Sequence, residues 1–241
     1  MAQMLHDSTR NLLLDSILRD CPALRESVET VQPPVGAEVC GVQDPLKYLY
    51  FPTTGVLSVL VEAEGGGTVE ALTVGNEGFI GIFTWLGLTE SLEQIVQQGC
   101  GEHARIPARQ FCAEIPGHRR TERLLKRFTA YSLRFRTQNA VCNRYHDVTQ
   151  RMCRWLLTAS DRAHPSDRLP YTHSLIARMV GTRRQTVTEI AVRLQRAGAI
   201  RYTRSKLCIV DRRKMGALAC HCYTDMNRLY ERLVASAITA R

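Results

Sequence analysis

No stretch of this 241-residue chain reaches the roughly 18 uninterrupted apolar residues that a membrane-spanning helix needs. Its opening, MAQMLHDSTRNLLLDSIL, lacks the basic start, long apolar core and small-residue cleavage site of a secretory leader. Internal repeats and low-complexity tracts are missing too. Nine cysteines are scattered from Cys21 to Cys222 without paired spacing, an awkward odd number for a disulfide framework, so reduced and mostly buried thiols are expected. These absences exclude a membrane span and a disulfide scaffold, and they predict a cytoplasmic location. Positive charge is scarce in the front of the chain: residues 1–117 hold 6 Lys/Arg against 15 Asp/Glu.

With 44% hydrophobic and 23% charged residues, the composition is that of an ordinary globular protein with room for two modest domains. The formal charge of +9 is concentrated at the rear, where residues 118–148 carry 8 Lys/Arg against 2 Asp/Glu and residues 149–241 carry 18 against 6. An acidic front repels phosphate and a basic rear attracts it, so a polyanion partner is expected for one domain only.

Residues 8–29 place Leu12, Leu13, Ile17, Leu18 and Leu24 at near-helical spacing with Pro22 as a break, which predicts two short helices. From Val31 to Pro116, short β-rich runs (KYLYFP, VLSVLVEA, TVEALTVG, HARIPA) predict an antiparallel roll, with Gly65, Gly66 and Gly67 at a hairpin tip and a short helix in FIGIFTWLG. Beyond Pro116, Leu124, Phe128, Tyr131, Phe135, Gln138, Cys142 and Tyr145 follow at steps of 4, 3, 4, 3, 4 and 3. This stripe is expected to be the seam of a homodimeric coiled coil. A further helix, DVTQRMCRWLLTASDRA, gathers Met152, Trp155, Leu156 and Ala159 on one face and ends at HPSDRLP, where Pro165 and Pro170 bracket a loop.

The chemistry concentrates in MVGTRRQTVTEIAVRLQRAGAIRYTRSKLCIVDR. Ile176, Met179 and Val180 form the apolar face of a short helix that Gly181 ends through a positive backbone dihedral. Thr182 and Gln185 match a capping box for a second helix with Val187, Ile190, Ala191 and Leu194 inward and Gly198 as its stop. Two short helices joined by a glycine turn predict a helix-turn-helix. Arg184, Gln185, Thr188, Glu189 and Gln195 then face outward, all able to reach base edges in a DNA major groove. AIRYTRSKLCIVD alternates apolar and basic residues around a turn, predicting a wing whose Arg204 and Lys206 lie on phosphates.

From Asp147 to Asp211 the chain resembles the C-terminal domain of the Crp/Fnr family of bacterial transcription regulators, and YFPTTG through GNEGFIG, with the long helix and the order of parts, resembles that family's β-roll sensor. The fold class expected is α+β: a cyclic-nucleotide-binding-like sensor roll over 1–117, a dimerisation helix over 118–146 and a winged helix-turn-helix domain over 147–241. The resemblance implies a homodimer that binds a near-palindromic operator in double-stranded DNA, with RNA polymerase as a further partner. It places base-reading positions on Arg184, Gln185 and Glu189, and backbone-contacting positions on Thr172, His173, Ser174, Arg183 and Thr186. The family's catabolite activator has Glu and Arg where Gln185 and Glu189 stand, so its operator does not carry over.

The nearest match to the family's cyclic AMP cassette is Gly75, Glu77 and Gly78, the candidate effector residues. No Lys or Arg lies between Phe79 and Ala104, while Glu90, Glu93 and Glu102 add negative charge, so no cyclic AMP binding is expected by that route. Arg105, Arg109 or the basic long helix offers another route, suited to a dinucleotide. Cys21 and Cys40 are too few and too far apart for an N-terminal iron–sulfur cluster. Cys220 and Cys222 are read on one helix, where positions i and i+2 point about 200° apart, so packing is expected rather than a shared metal or redox centre. His103 and His118 are expected as ordinary surface or loop residues. No cofactor and no enzyme is expected, since a thiol or metal enzyme leaves the charge segregation unexplained.

Overall fold

The computed structural model describes residues 9–62, 64, 67–163, 167–203 and 206–239. The chain enters through α1 (Leu12–Asp20), capped by Asn11, whose side chain accepts from Leu14 N and donates to the carbonyls of Pro52 and Gly78. Pro22 then opens a 3-10 turn over Pro22–Ser27. Leu13, Ile17, Leu18 and Leu24 are buried as their spacing predicts, but Leu12 faces solvent and Leu14 takes the inward place.

The roll follows as β1 (Glu29–Val31), β2 (Glu38–Cys40), β3 (Tyr48–Pro52), β4 (Leu57–Glu62), β5 (Thr68–Val74), the short α2 (Ile82–Trp85), β6 (Gln94–Gln97), β7 (His103–Pro107) and α3 (Ala108–Glu114). They form two antiparallel sheets ordered β1-β7-β3 and β2-β6-β4-β5. The β4–β5 hairpin brings Glu62 opposite Thr68; Gly65 and Gly66 of its expected tip lie outside the described residues.

α4 (Arg119–Tyr145) crosses the roll and leads into α5 (Val148–Arg162), whose Asp147 and Gln150 form a reciprocal capping box. β8 (Arg168–Leu169), α6 (His173–Val180), α7 (Arg184–Arg196), β9 (Ile200–Thr203) and β10 (Lys206–Ile209) follow, with a small sheet ordered β8-β10-β9. Pro165, expected to bracket the loop before β8, lies outside the described residues. The chain ends in α8 (Arg212–Leu218), α9 (Cys222–Tyr230), a π-helical turn over Glu231–Ala235 and α10 (Ser236–Thr239).

Two cores result. One fills the roll and carries the aromatic series Phe51, Phe79, Phe128, Tyr131 and Tyr230, whose successive ring centres lie 5.7, 5.2, 6.0 and 5.4 Å apart, stacked at the first pair and edge-on at the last. The other joins α5 to the helix-turn-helix and wing through Trp155, Leu156, Ile176, Val187, Ile190 and Leu207. Met226 and Val234 belong to the first core, so the tail of the expected 147–241 domain returns to the roll and lies against α4.

The expected dimer seam is corrected here. Leu124, Phe128, Tyr131, Phe135, Gln138 and Cys142 are all buried within the chain's own fold, and only Tyr145 of that stripe is exposed. Aromatic side chains carry the largest apolar area on the helix, and the roll and the returning tail already cover them. A second stripe on α4 faces outward at the same heptad steps: Lys126, Ala130, Leu133, Thr137, Ala140 and Arg144, with Val141 beside it.

His103 is also corrected, being fully buried on β7 beside Gln97. Burial lowers its pKa from 6.5 to about 4. The folded chain holds this imidazole neutral while the unfolded chain protonates it below 6.5, so stability is full above that pH and falls as pH drops toward 4. The loss amounts to about 2 kcal/mol between pH 7.5 and 5. Urea titrations at those two pH values should show it, and His103→Gln should remove most of the difference.

Candidate nucleic-acid interface

Thr172 begins α6 as its cap, its hydroxyl accepting from Leu175 N at 3.1 Å. Ile176, Ala177, Met179 and Val180 are buried against α5 and α7. Gly181 then turns the chain with φ +66°, a left-handed conformation that a side chain would strain. The expected capping box does not form: Arg183, extended at φ −80° and ψ 145°, is the capping residue of α7, and Thr182 lies outside the first turn. The helix is instead held by its buried face of Val187, Ile190, Ala191 and Leu194.

That packing leaves Arg184, Gln185, Thr188 and Glu189 exposed on one face, as the spacing predicts. Gln185 Nε2 donates to Glu189 Oε1 at 3.1 Å, so these two amide and carboxylate groups sit as a prearranged pair. Gln195 does not join them, because its side-chain Oε1 accepts from Tyr202 N at 2.9 Å and ties α7 to the wing. His173 stacks on Tyr202 with ring centres 4.3 Å apart, and its Nδ1 lies 2.9 Å from Thr188 Oγ1. Burial and the neighbouring Arg184 charge lower its pKa. His173 therefore braces the two helices, a role that spacing alone did not reveal.

Ser174, Arg183 and Thr186 line a groove whose opposite wall is Gly67, Thr68 and Val69 of the roll's hairpin. Arg178 bridges that groove, donating to Thr68 Oγ1 at 3.1 Å and Gln94 Oε1 at 3.0 Å. In the wing, Lys206 pairs across from Thr203 and is exposed, while Arg204 lies outside the described residues. Lys214 Nζ donates to Ala197 O at 3.0 Å and supports the end of α7.

Residues 150–218 match the Crp-like helix-turn-helix domain family. No curated protein matches the chain. Solved structures place the Crp-like domain in a wider fold. The c-di-GMP responsive global regulator CLP of Xanthomonas campestris is 17% identical, with 82% of this chain and 97% of that one covered at a TM-score of 0.62. FixK2 of Bradyrhizobium japonicum is 15% identical over 80% and 98%, at 0.65. A Crp/Fnr regulator of Eubacterium rectale is 14% identical over 88% and 99%, at 0.66. The chain thus shares the fold of these Crp/Fnr structures, with an antiparallel roll ahead of its helix-turn-helix segment. No helix among the described residues is long and apolar enough to cross a membrane.

The candidate effector residues are an internal joint in this fold. A Cβ on Gly78 would overlap the ring of Phe128, and one on Gly75 would overlap the backbone of Arg162. Glu77 pairs with Arg162 Nε at 3.1 Å, and Arg162 also donates to Tyr131 Oη at 2.7 Å and to the Thr73 carbonyl. The cation missing between Phe79 and Ala104 is supplied from elsewhere in the chain: Arg136 of α4 binds Glu93, as Arg162 of α5 binds Glu77. Arg105, the alternative nucleotide contact, is held by Glu29 at 2.7 Å and lies 4.0 Å over the Tyr48 ring, while Arg109 is exposed on α3.

Proposed function

We propose that this chain is a homodimeric, sequence-specific DNA-binding transcription regulator of the cytoplasm, with no catalytic role, that reads a near-palindromic operator in double-stranded DNA. The observation that carries the reading is the exposed face of α7, where Arg184, Gln185, Thr188 and Glu189 project beside a wing bearing Lys206. Arginine pairs with guanine, glutamine with adenine, and a carboxylate accepts from the cytosine amino group, all in the major groove. The rear charge of 18 Lys/Arg against 6 Asp/Glu supports a phosphate partner. Thr172, His173, Ser174, Arg183, Thr186 and Arg204 are assigned to the DNA backbone in the same reading, and RNA polymerase to the regulated complex.

The outward stripe of α4 takes over the dimer role, since Ala130 and Ala140 permit close helix approach around Leu133, which is 59% exposed. In the roll, no cyclic AMP is bound, because the carboxylates Glu77 and Glu93 already hold Arg162 and Arg136. Calorimetry with cyclic AMP should give no specific isotherm; saturable one-per-chain binding abolished by a roll substitution contradicts this.

The DNA reading is tested with two variants on preferred and scrambled duplexes at several salt concentrations. Arg184→Ala should lose about 1 to 3 kcal/mol on the preferred site and relax base choice at one position of each half-site. Lys206→Ala should weaken both duplexes alike and lower the salt slope by about one counterion per subunit. Equal loss on both duplexes for Arg184→Ala means that α7 is not the reader.

A further inference from the structure

Cys142 and His146 stand one turn apart at the end of α4, the latter as its capping residue. Cys220 is not on a helix with Cys222: it lies in the turn between α8 and α9, and Cys222 opens α9. The expectation that the two sulfurs diverge by a helical angle therefore does not apply. The four side chains converge, and their ligand atoms all lie within 4.8 Å of one another. Cys142 Sγ is 3.5 Å from Cys220 Sγ, and Cys222 Sγ is 3.6 Å from His146 Nδ1. With metal–sulfur bonds of about 2.3 Å and metal–nitrogen bonds of about 2.0 Å, the edges of a tetrahedral zinc site are about 3.8 Å and 3.5 Å. The two edges in the structure lie within about 0.3 Å of those lengths.

The surroundings suit such a centre. All three thiols are buried in a cluster of their own, apart from the two apolar cores. The buried amide of Gln138 donates from Nε2 to Cys222 Sγ at 2.9 Å, the kind of outer hydrogen bond that orients a thiolate ligand. Arg154, also buried, acts electrostatically on Cys142 and Cys220, and its Nε has no hydrogen-bond partner among the described residues. Three thiolates and a neutral imidazole around a divalent ion leave one net negative charge, which that guanidinium offsets.

We propose that Cys142, His146, Cys220 and Cys222 form a closed tetrahedral site for a thiolate-preferring divalent cation of the zinc class. Binding releases three thiol protons to solvent as three metal–sulfur bonds form, with no electron transferred. Four protein ligands leave no open position, which makes the site structural. It fastens the α4–α5 hinge at His146 and Asp147 to the turn behind the wing, so it acts on the placement of the helix-turn-helix relative to the roll.

The test is metal content of the full-length chain, purified under reducing conditions without chelator and titrated with zinc. One zinc per chain is expected, retained in Cys112→Ser and lost in Cys222→Ser and Cys142→Ser. Cobalt in place of zinc should give the strong visible absorption of a tetrahedral thiolate complex. His146→Cys, which keeps four donors, should still bind one cobalt with a shifted spectrum, and this variant guards against misfolding in the serine series. Chelation should lower the thermal midpoint of the natural chain and leave that of Cys222→Ser unchanged. Failure of the reduced chain to take up zinc overturns the proposal, as does unit stoichiometry surviving in both serine variants. A Cys142–Cys220 disulfide in chain that takes up no zinc after reduction overturns it in favour of a redox pair. None of these readings depends on DNA binding.

Discussion

A chain carrying Arg162→Met should unfold about 3 to 5 kcal/mol more easily than the natural one, the largest single effect expected outside the apolar core. Arg162 is 6% exposed at the end of α5, where it pairs with Glu77, donates to Tyr131 and the Thr73 carbonyl, and lies 4.7 Å from the Phe135 ring centre. Methionine fills much of the space but leaves the Glu77 carboxyl buried without a cation, with backbone N–H groups such as that of Gly75 donating to it. Taking away one partner exposes the full desolvation cost of the other, whereas replacing both by apolar groups of similar size is often neutral. Arg162→Met with Glu77→Met should therefore recover most of the loss in urea unfolding. A single variant costing under about 1 kcal/mol would show that the pair is not the joint between α5 and the roll.

Leu133→Glu combined with Val141→Glu should leave each chain folded but monomeric by light scattering. Both residues are exposed, so the fold of one chain should change by no more than about 0.5 kcal/mol for each. A carboxylate facing its own symmetry mate at the centre of a two-fold seam repels it and is desolvated there. Binding to a two-half-site duplex should then fall by about 10² to 10⁴, the advantage that linking two readers confers, while binding to one half-site stays close to its natural value. Phe128→Glu is the informative contrast: it buries a charge against Phe79 and Tyr131 and should unfold the chain instead of dissociating it. A double variant that remains dimeric would move the interface off this face of α4.

Much of the fold was legible because its signals are local. Short β-rich runs in the roll and a 3.6-residue period in α5 to α7 separated strands from helices, and Gly181 marked a turn that needs a left-handed residue. The outward face of α7 followed from its inward one, since Val187, Ile190 and Leu194 leave only the opposite side for Arg184, Gln185 and Glu189. The segregation of charge was likewise complete in the sequence.

What tertiary structure alone decided are choices between equal local patterns and meetings between distant residues. Helix α4 carries two heptad stripes of the same period, and periodicity cannot say which one faces inward; the aromatic area of Phe128, Tyr131 and Phe135, met by the roll and by the tail carrying Tyr230, settles it. The acidic window from Phe79 to Ala104 looked bare of cations because Arg136 arrives from α4 to meet Glu93, as Arg162 arrives from α5 to meet Glu77 just ahead of it. Asp147 and Gln150 form a capping box, while the one expected at Thr182 and Gln185 fails because Arg183 is extended and caps α7 itself. Cys220 and Cys222 meet Cys142 and His146 only because the chain breaks helix between α8 and α9 and returns along α4. Spacing along a chain reports what one element can do; contacts across it depend on which apolar faces the chain can bury at once, and that is a property of the whole fold.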